Sequence, residues 1–392
     1  MCNQPGSIAL TGAETTAPIR LSIAVRAWNE EAVIRRTLES VFDQTLFEEL
    51  ATRHERCEIL CIPNGCTDRT PEIAKAVFIE QQAAHPFASS FTCRVENIRE
   101  AGRNHTWNAY VHELANREAE FLCLMDSDIL FNRRDTLFNL YAALLSRPAA
   151  AIASGLQIKD IYFKKKKALR DRISLATSDM TRTIAGQITG QLYCIRAEAA
   201  RRLWLPKDLG APDDGFIKAV VCSDHFTREV DAGRIVAVEN ASHVYEAYTS
   251  VPEILNNQKR QMIGQTTVHV LVEYLKTLPL KQREDLADTL RRKEETDADW
   301  LKRLLQEHLN RNPVFWRLFP GVLTFRFRRW RKLNGRQRLT HLPATLAGFI
   351  VTLVACIRAH RHFRKGQVHY WPKASRENIQ KLELRGAVTE VK

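Results

Sequence analysis

Between Glu307 and Glu377 the sequence contains no acidic residue. It has nine cysteines but no CxxC pair. The gaps between Cys57, Cys61 and Cys66 fit no common zinc spacing, so these read as reduced packing thiols. The cysteine count is odd, and no basic segment followed by an apolar core opens the chain. That predicts neither a disulfide framework nor secretion, and places the chain in a reducing cytoplasm. No Gly- and Lys-rich phosphate loop follows the first apolar run, where "RAWNEE" stands instead, which speaks against a nucleotidyltransferase. The apolar run Leu342 to Ile357 has only 16 residues. As a helix it would reach about 24 Å, short of the roughly 30 Å hydrocarbon core of a bilayer. Disordered, collagen-like and coiled-coil classes are excluded by ordinary proportions of apolar (45%) and charged (26%) residues.

What is present is unevenly placed. The formal net charge is +13 over 392 residues, a length that fits two or three domains. From Pro313 to Lys392 there are 17 Lys and Arg against 3 acids, whereas from Met1 to Asn312 there are 41 against 42. The whole excess therefore belongs to the last stretch, and the first 312 residues are close to neutral.

Residues 1–20 are small and polar and read as a tail. Apolar runs then alternate with helical patterns. Strands are expected at Leu21–Val25, Glu58–Ile62, Phe91–Val95 and Phe121–Met125, with helices at Glu30–Phe42, from "PNGCTDRT" to Gln82, and at Gly102–Asn116. This order predicts βαβ units and a doubly wound, mostly parallel sheet. Further strands are expected at Ala150–Gln157, Gln191–Ile195 and Ile235–Val238, and helices at Ala197–Leu203 and Gly215–Val221. A charged helical pattern runs from Pro252 to Leu309. The implied division is a catalytic unit at 21–250, a helical extension at 251–312 and a basic tail at 313–392.

In open α/β sheets ligands bind at the carboxyl ends of the strands. There the sequence places Arg26, Trp28, Asn29 and Glu30, then Asn64, Gly65, Thr67 and Asp68, then Asp126 and Asp128. The last pair follows the buried run "FLCLM". Two carboxylates one residue apart suit a hard divalent cation, Mg²⁺ or Mn²⁺, bridging a diphosphate. The same pair also suits a strand-end turn that caps the next helix.

The segments "LSIAVRAWNEEAVIRRTLESV", "EILCIPNGCTDRTPEIA", "REAGRNHTWNAYVH", "FLCLMDSDILF", "ITGQLYCIRAEAARRL" and "PDDGFIKA" follow one another in this order. From about Leu21 to Gln265 the sequence thereby resembles the family 2 glycosyltransferases with the GT-A fold. The resemblance implies that Ala27, Asn29, Glu30, Asn64, Asp68, Arg103, Asp126 and Ser127 meet a nucleotide-sugar. Pro63 and Asn64 stand where the family has a leading acid that meets the base, which loosens the expectation of uracil. Asp68 serves equally as a helix cap before Thr70 and Pro71. The resemblance makes Asp126 and Asp128 metal ligands, Asp128 ahead of Asp126, with His243 a third ligand in some members. Buried structural histidine is the commoner role for such a residue. Asp213 and Asp214 match the family's acid pair, whose second member is the catalytic base, and acids at a helix start also suit the helix dipole. Inverting transfer needs such a carboxylate on the acceptor side, opposite the leaving nucleotide. Gly190, Gln191 and Arg260 are expected on that side. Arg260 belongs to "NQKRQ", which lacks the Gln-x-x-Arg-Trp of processive members.

The tail interleaves aromatics with arginine on both sides of the apolar run. Residues 313–376 are expected to hold an anionic membrane surface as an interfacial or re-entrant element, at the cytoplasmic face. A nucleic-acid partner fits the apolar run poorly. The expected activity is single-sugar transfer from a nucleotide-sugar, a UDP-sugar first, to a hydroxyl of a lipid-linked or polysaccharide acceptor, with Mn²⁺ or Mg²⁺. The alternative is an inactive GT-A-like subunit docked on the membrane in a polysaccharide assembly complex.

Overall fold

The structure is a computed structural model that describes residues 17–168, 171, 174–175, 186–210, 213–248, 250–312, 322–331 and 333–365. Of the expected N-terminal tail, residues 1–16 lie outside this set, while Ile19 and Arg20 already belong to the first strand.

Eight strands form one sheet: β1 Ile19–Ala27, β2 Arg56–Pro63, β3 Phe91–Val95, β4 Phe121–Asp126, β5 Ile129–Phe131, β6 Ile152–Lys159, β7 Leu192–Arg196 and β8 Ile235–Tyr245. Their order is β3-β2-β1-β4-β7-β6-β8-β5. β1 lies between β2 and β4 and pairs parallel with both. The expected sheet is thus present but mixed, because β7 enters between β4 and β6 in reverse and β5 pairs antiparallel with β8.

The central strands are continuous apolar runs because both faces are covered. Successive side chains point to opposite faces, so Ala24, Leu60, Leu122 and Leu124 join one core, while Ile23, Val25, Ile59 and Cys123 join the other. Helices Ile34–Phe42, Leu46–Thr52, Thr70–Ala84 and Thr136–Leu145 bury their apolar residues in the second core. Helices Arg103–Ala109, Ala197–Arg201 and Asp213–Cys222 close the first.

The charged stretch after Pro252 is four helices: Val251–Lys276, Leu280–Glu284, Leu286–Thr296 and Trp300–Arg311. The first opens on a capping box, Ser250 with Glu253. These helices place Leu271, Leu275, Leu290 and Trp300 in the same core as Trp107 and Phe216, so the extension is built onto the sheet.

The tail differs from its sequence expectation. The 16-residue apolar run sits inside a helix of 30 residues, Gly335–Arg364, about 45 Å long. Its flanks are rich in Arg, a good helix former, so the loss of hydropathy is not the end of the helix. Over Gln337–Arg364 it is long and apolar enough to cross a membrane. Its C-terminal half instead buries Ala355, Cys356, Ala359 and Phe363 against Met262 and Ile263. Arg358 Nη2 donates to Asn256 Oδ1 at 2.8 Å across the same seam.

Candidate active site

The carboxyl ends of β1, β2 and β4 bring the strand-end residues together. After β1 the chain turns through Asn29, whose φ of 54° is one that Asn tolerates. Asn29 Oδ1 accepts from the Thr67 N–H at 2.7 Å, and its own N–H donates to Cys66 Sγ at 3.2 Å. The Glu30 N–H donates to Thr70 Oγ1 at 2.8 Å. Gly65 has φ 59°, and a Cβ there would stand 2.5 Å from Ala101 Cβ, so the turn after β2 requires glycine.

Asn64 is buried and used on both sides of its amide. Its Nδ2 donates to the Ala27 carbonyl at 2.7 Å, and its Oδ1 accepts from the Gly102 N–H at 3.2 Å. It joins the ends of β1 and β2 to the start of the helix that carries Arg103. Asp68 accepts from the N–H and Oγ1 of Thr70 and from the Glu31 N–H. The helix N-cap is Arg69, not Asp68, and Asp68 instead ties the two loops together.

The strongest electrostatic feature is a four-membered ion-pair network. Arg26 Nη2 and Arg103 Nη1 both donate to Asp126 Oδ1, at 2.8 and 2.9 Å. Arg103 Nε donates to both Asp213 oxygens at 3.1 Å, and Arg26 Nη1 lies 3.7 Å from Asp213 Oδ2. Both guanidiniums also donate to the Gly190 carbonyl. The sequence placed Arg26 at a strand end without giving it a role. The available signal was a charge at the end of an otherwise apolar buried strand.

Asp213 and Asp214 begin the helix Asp213–Cys222, and their environments push them apart. Burial raises the Asp213 carboxyl, but the Arg103 and Arg26 guanidiniums more than offset it, so it lies below its ordinary range. Burial, then the charge of Asp213, raises Asp214 to about 6, only partly opposed by the Gly215 N–H. Gly190 lies against it, since a Cβ on Gly190 would stand 3.5 Å from Asp214 Oδ2.

Asp128 follows in the turn between β4 and β5, and Ser127 between the acids is held by its backbone, its carbonyl accepting from Thr37 Oγ1 at 2.7 Å. His243 lies on β8 opposite Phe131 and is fully buried. Its Nε2 is 3.3 Å from Gln191 Oε1, and its Nδ1 has no hydrogen-bond partner among the described residues. Burial lowers its pKa to about 4, and the nearby Asp126 charge only partly opposes this. Among the described residues no three His, Cys, Asp or Glu side chains converge as a ready cation cage. Arg260 donates to Asn257 Oδ1 within its own helix.

The mixed eight-stranded sheet flanked by helices is a GT-A-like fold. Residues 22–202 match the family model "Glycosyl transferase family 2". Over these residues the chain carries a glycosyltransferase family 2 domain. No curated protein matches the chain. Similar solved structures include the mannosyltransferase PcManGT from Pyrobaculum calidifontis, in complex with GDP-Man and Mn²⁺. It is 16% identical over 90% of each chain, with a TM-score of 0.50, a likeness of fold. S. aureus TarS 1–349 in complex with UDP-GlcNAc is 13% identical over 89% of this chain and 93% of that one, TM-score 0.43. Glucosyl-3-phosphoglycerate synthase from Mycobacterium tuberculosis, with Mg²⁺ and UDP, is 17% identical over 67% and 80%, TM-score 0.40.

Proposed function

We propose that this glycosyltransferase moves a single sugar, with inversion, from a nucleotide-sugar to a hydroxyl of a lipid-linked or polysaccharide acceptor at the cytoplasmic face of a membrane. One observation carries the reading. Asp214, a carboxylate raised to about 6, stands next to Asp213, which with Asp126 is ion-paired to Arg26 and Arg103. A base near neutral pH is what deprotonation of an acceptor hydroxyl needs. The hydroxyl proton passes to Asp214 as its oxygen attacks the anomeric carbon from the face opposite the leaving nucleotide. Arg103 and Arg26 would place guanidinium donors where the diphosphate departs. Ala27, Asn29, Glu30 and Ser127 shape the donor pocket, and Gly190 and Gln191 its acceptor side.

The residues supply only part of a divalent cation site. Asp128 would hold Mn²⁺ or Mg²⁺, with Asp126 and His243 as the further candidates, and the ion's charge would offset that building on the diphosphate. Such ions commonly need only one or two carboxylates, with phosphate oxygens completing the set. His243 adds a buried, neutral imidazole whose Nδ1 has no hydrogen-bond partner among the described residues.

The test is nucleotide release from purified protein with Mn²⁺ and a panel of UDP- and GDP-sugars. Activity with one donor is expected, lost in Asp128→Asn. Equal activity in that variant would sink the metal assignment.

The membrane reading rests on the long C-terminal helix. Leu339, Leu342, Leu346, Ile350 and Ile357 are all exposed, Leu339 at 81% and Ile350 at 59%. At 100° per residue they form one stripe. Exposed Arg328, Arg331, Arg338 and Arg364 lie on the same helical hairpin, where Phe327 meets Phe349 at 5.2 Å. Because the far half of the helix is docked on the body, the stripe lies along the lipid surface. In vesicle flotation the full chain should rise with anionic lipid, and a Leu346→Asp/Ile350→Asp variant should stay behind. Flotation of that variant at wild-type level would refute the assignment. Residues 313–321, 332 and 366–376 of the expected membrane segment lie outside the described residues.

A further inference from the structure

A cavity of about 130 Å³ opens at the end of the sheet away from the two acid pairs. It lies between the start of β6, the end of β7 and the turn after helix Asp213–Cys222. In the β4–β7 ladder Arg196 stands opposite Phe121, at the start of β4, whereas Asp126 stands at its end. The cavity and the donor cleft are therefore a strand length apart, about 17 Å.

Arginines 196, 202 and 234 line the cavity with His225, against the acids Glu198 and Asp224. Two of the arginines are committed. Arg196 donates to the Leu144 and Ala150 carbonyls, and Arg202 Nη1 to Asp224 Oδ1 at 3.2 Å. Arg234 Nε is buried without a hydrogen bond among the described residues. His225 is 4% exposed, and neither ring nitrogen has a hydrogen bond of ordinary geometry, its Nδ1 standing 3.4 Å from Asp224 Oδ1.

His225 reaches this wall through an unusual backbone. Asp224, His225 and Phe226 all have positive φ, 45°, 63° and 61°. Non-glycine residues rarely adopt this region once, and here three do so in succession. Ser223 holds the turn, its Oγ accepting from the Phe226 N–H at 3.0 Å and donating to the Ala219 carbonyl at 2.6 Å. Strain is retained where surrounding structure over-determines it, and it gathers at binding and switch sites. What the strain holds in place is a buried imidazole between Asp224 and the Arg202 backbone, beside an Arg234 whose Nε is buried without a hydrogen bond among the described residues. Buried donors of this kind are costly unless something accepts from them. The space is large enough for several water-sized groups.

We propose that this cavity binds a small tetrahedral oxyanion of the phosphate class, with Arg234 and His225 donating to it. The helix that begins at Asp213 and Asp214 ends at this turn, so the ligand would sit at the far end of the element that carries the acid pair.

The test is calorimetric titration of the full chain with inorganic phosphate in chloride buffer. Saturable binding is expected, retained in Arg103→Ala and weakened about tenfold or more in Arg234→Gln, as for loss of a charge-assisted hydrogen bond. His225→Asn should weaken it too, since Asn tolerates the left-handed backbone and keeps the turn. A parallel titration with glycerol phosphate separates the sources. Binding that depends on Arg234 assigns an ester-linked phosphate, and exclusion assigns the free ion. Absence of saturable phosphate binding would overturn the proposal. So would binding lost in Arg103→Ala but kept in Arg234→Gln, which would put the phosphate in the donor cleft.

Discussion

Asp214→Asn is expected to lower turnover by about 10² to 10⁴-fold, the usual contribution of a general base. The amide matches the carboxylate in shape but cannot take the hydroxyl proton. Donor affinity should change little, because Arg26, Arg103 and Asp126 are untouched. Nucleotide release and equilibrium donor binding, measured on the same preparation, separate the two effects. An equal fall in both would mean that Asp214 shapes the donor pocket and is not the base.

The pH dependence follows from the same residue. Asp214 is raised to about 6, so the wild-type rate should climb through that pH as the carboxylate ionises. Stability should move the opposite way. A carboxyl whose folded pKa lies above its unfolded value contributes stability that is complete below the unfolded value and lost as pH rises through the folded one. Ionising Asp214 thus enables catalysis and weakens the fold. Asp213→Asn removes the neighbouring charge and should shift the rate profile towards lower pH. Burial, the larger cause of the raised value, stays in place, so the profile should not return to that of an ordinary carboxyl.

Much of this site was legible in the sequence because its parts obey local rules. Strand runs ending in acids give β4 with Asp126 and Asp128, and "APDDGF" gives a helix start with two carboxylates. What was hidden depends on partners distant in sequence. Asn64 reads as a substitution for a base-contacting acid, yet its amide is occupied by Ala27 and Gly102. The direction of β7 could not be read from "LYCIR", since an apolar run has the same composition in either sense. β5, at three residues, is too short for a periodic signal. Helices Leu46–Thr52 and Thr136–Leu145 were missed for different reasons, the first being two turns long and the second apolar nearly all round. In the tail, the boundary of charge is not the boundary of structure, because helical hydrogen bonding continues through Arg and His without interruption.

The residue least visible in the sequence should have the largest effect on stability. Arg26 is 6% exposed and Asp213 is 3% exposed. Removing one partner of a buried ion pair leaves the other charge uncompensated, at about 3 to 5 kcal/mol. Arg26→Met keeps much of the volume and removes only the charge and its donors, so a loss of that order in urea unfolding would report the ion pair. Arg103 remains on both carboxylates, which places the expected loss towards the lower bound. The double variant Arg26→Met/Asp213→Asn should be less damaged than the sum of the single changes, because it buries no orphan carboxylate. Additive losses would show that Arg26 acts through packing alone. The acid limb gives an independent check. The folded pKa of Asp213 is depressed, so its contribution to stability is present above the unfolded carboxyl value and lost as pH falls through the folded one. Arg26→Met weakens that depression and should flatten the acid limb, while leaving in place the opposite slope that Asp214 produces near pH 6.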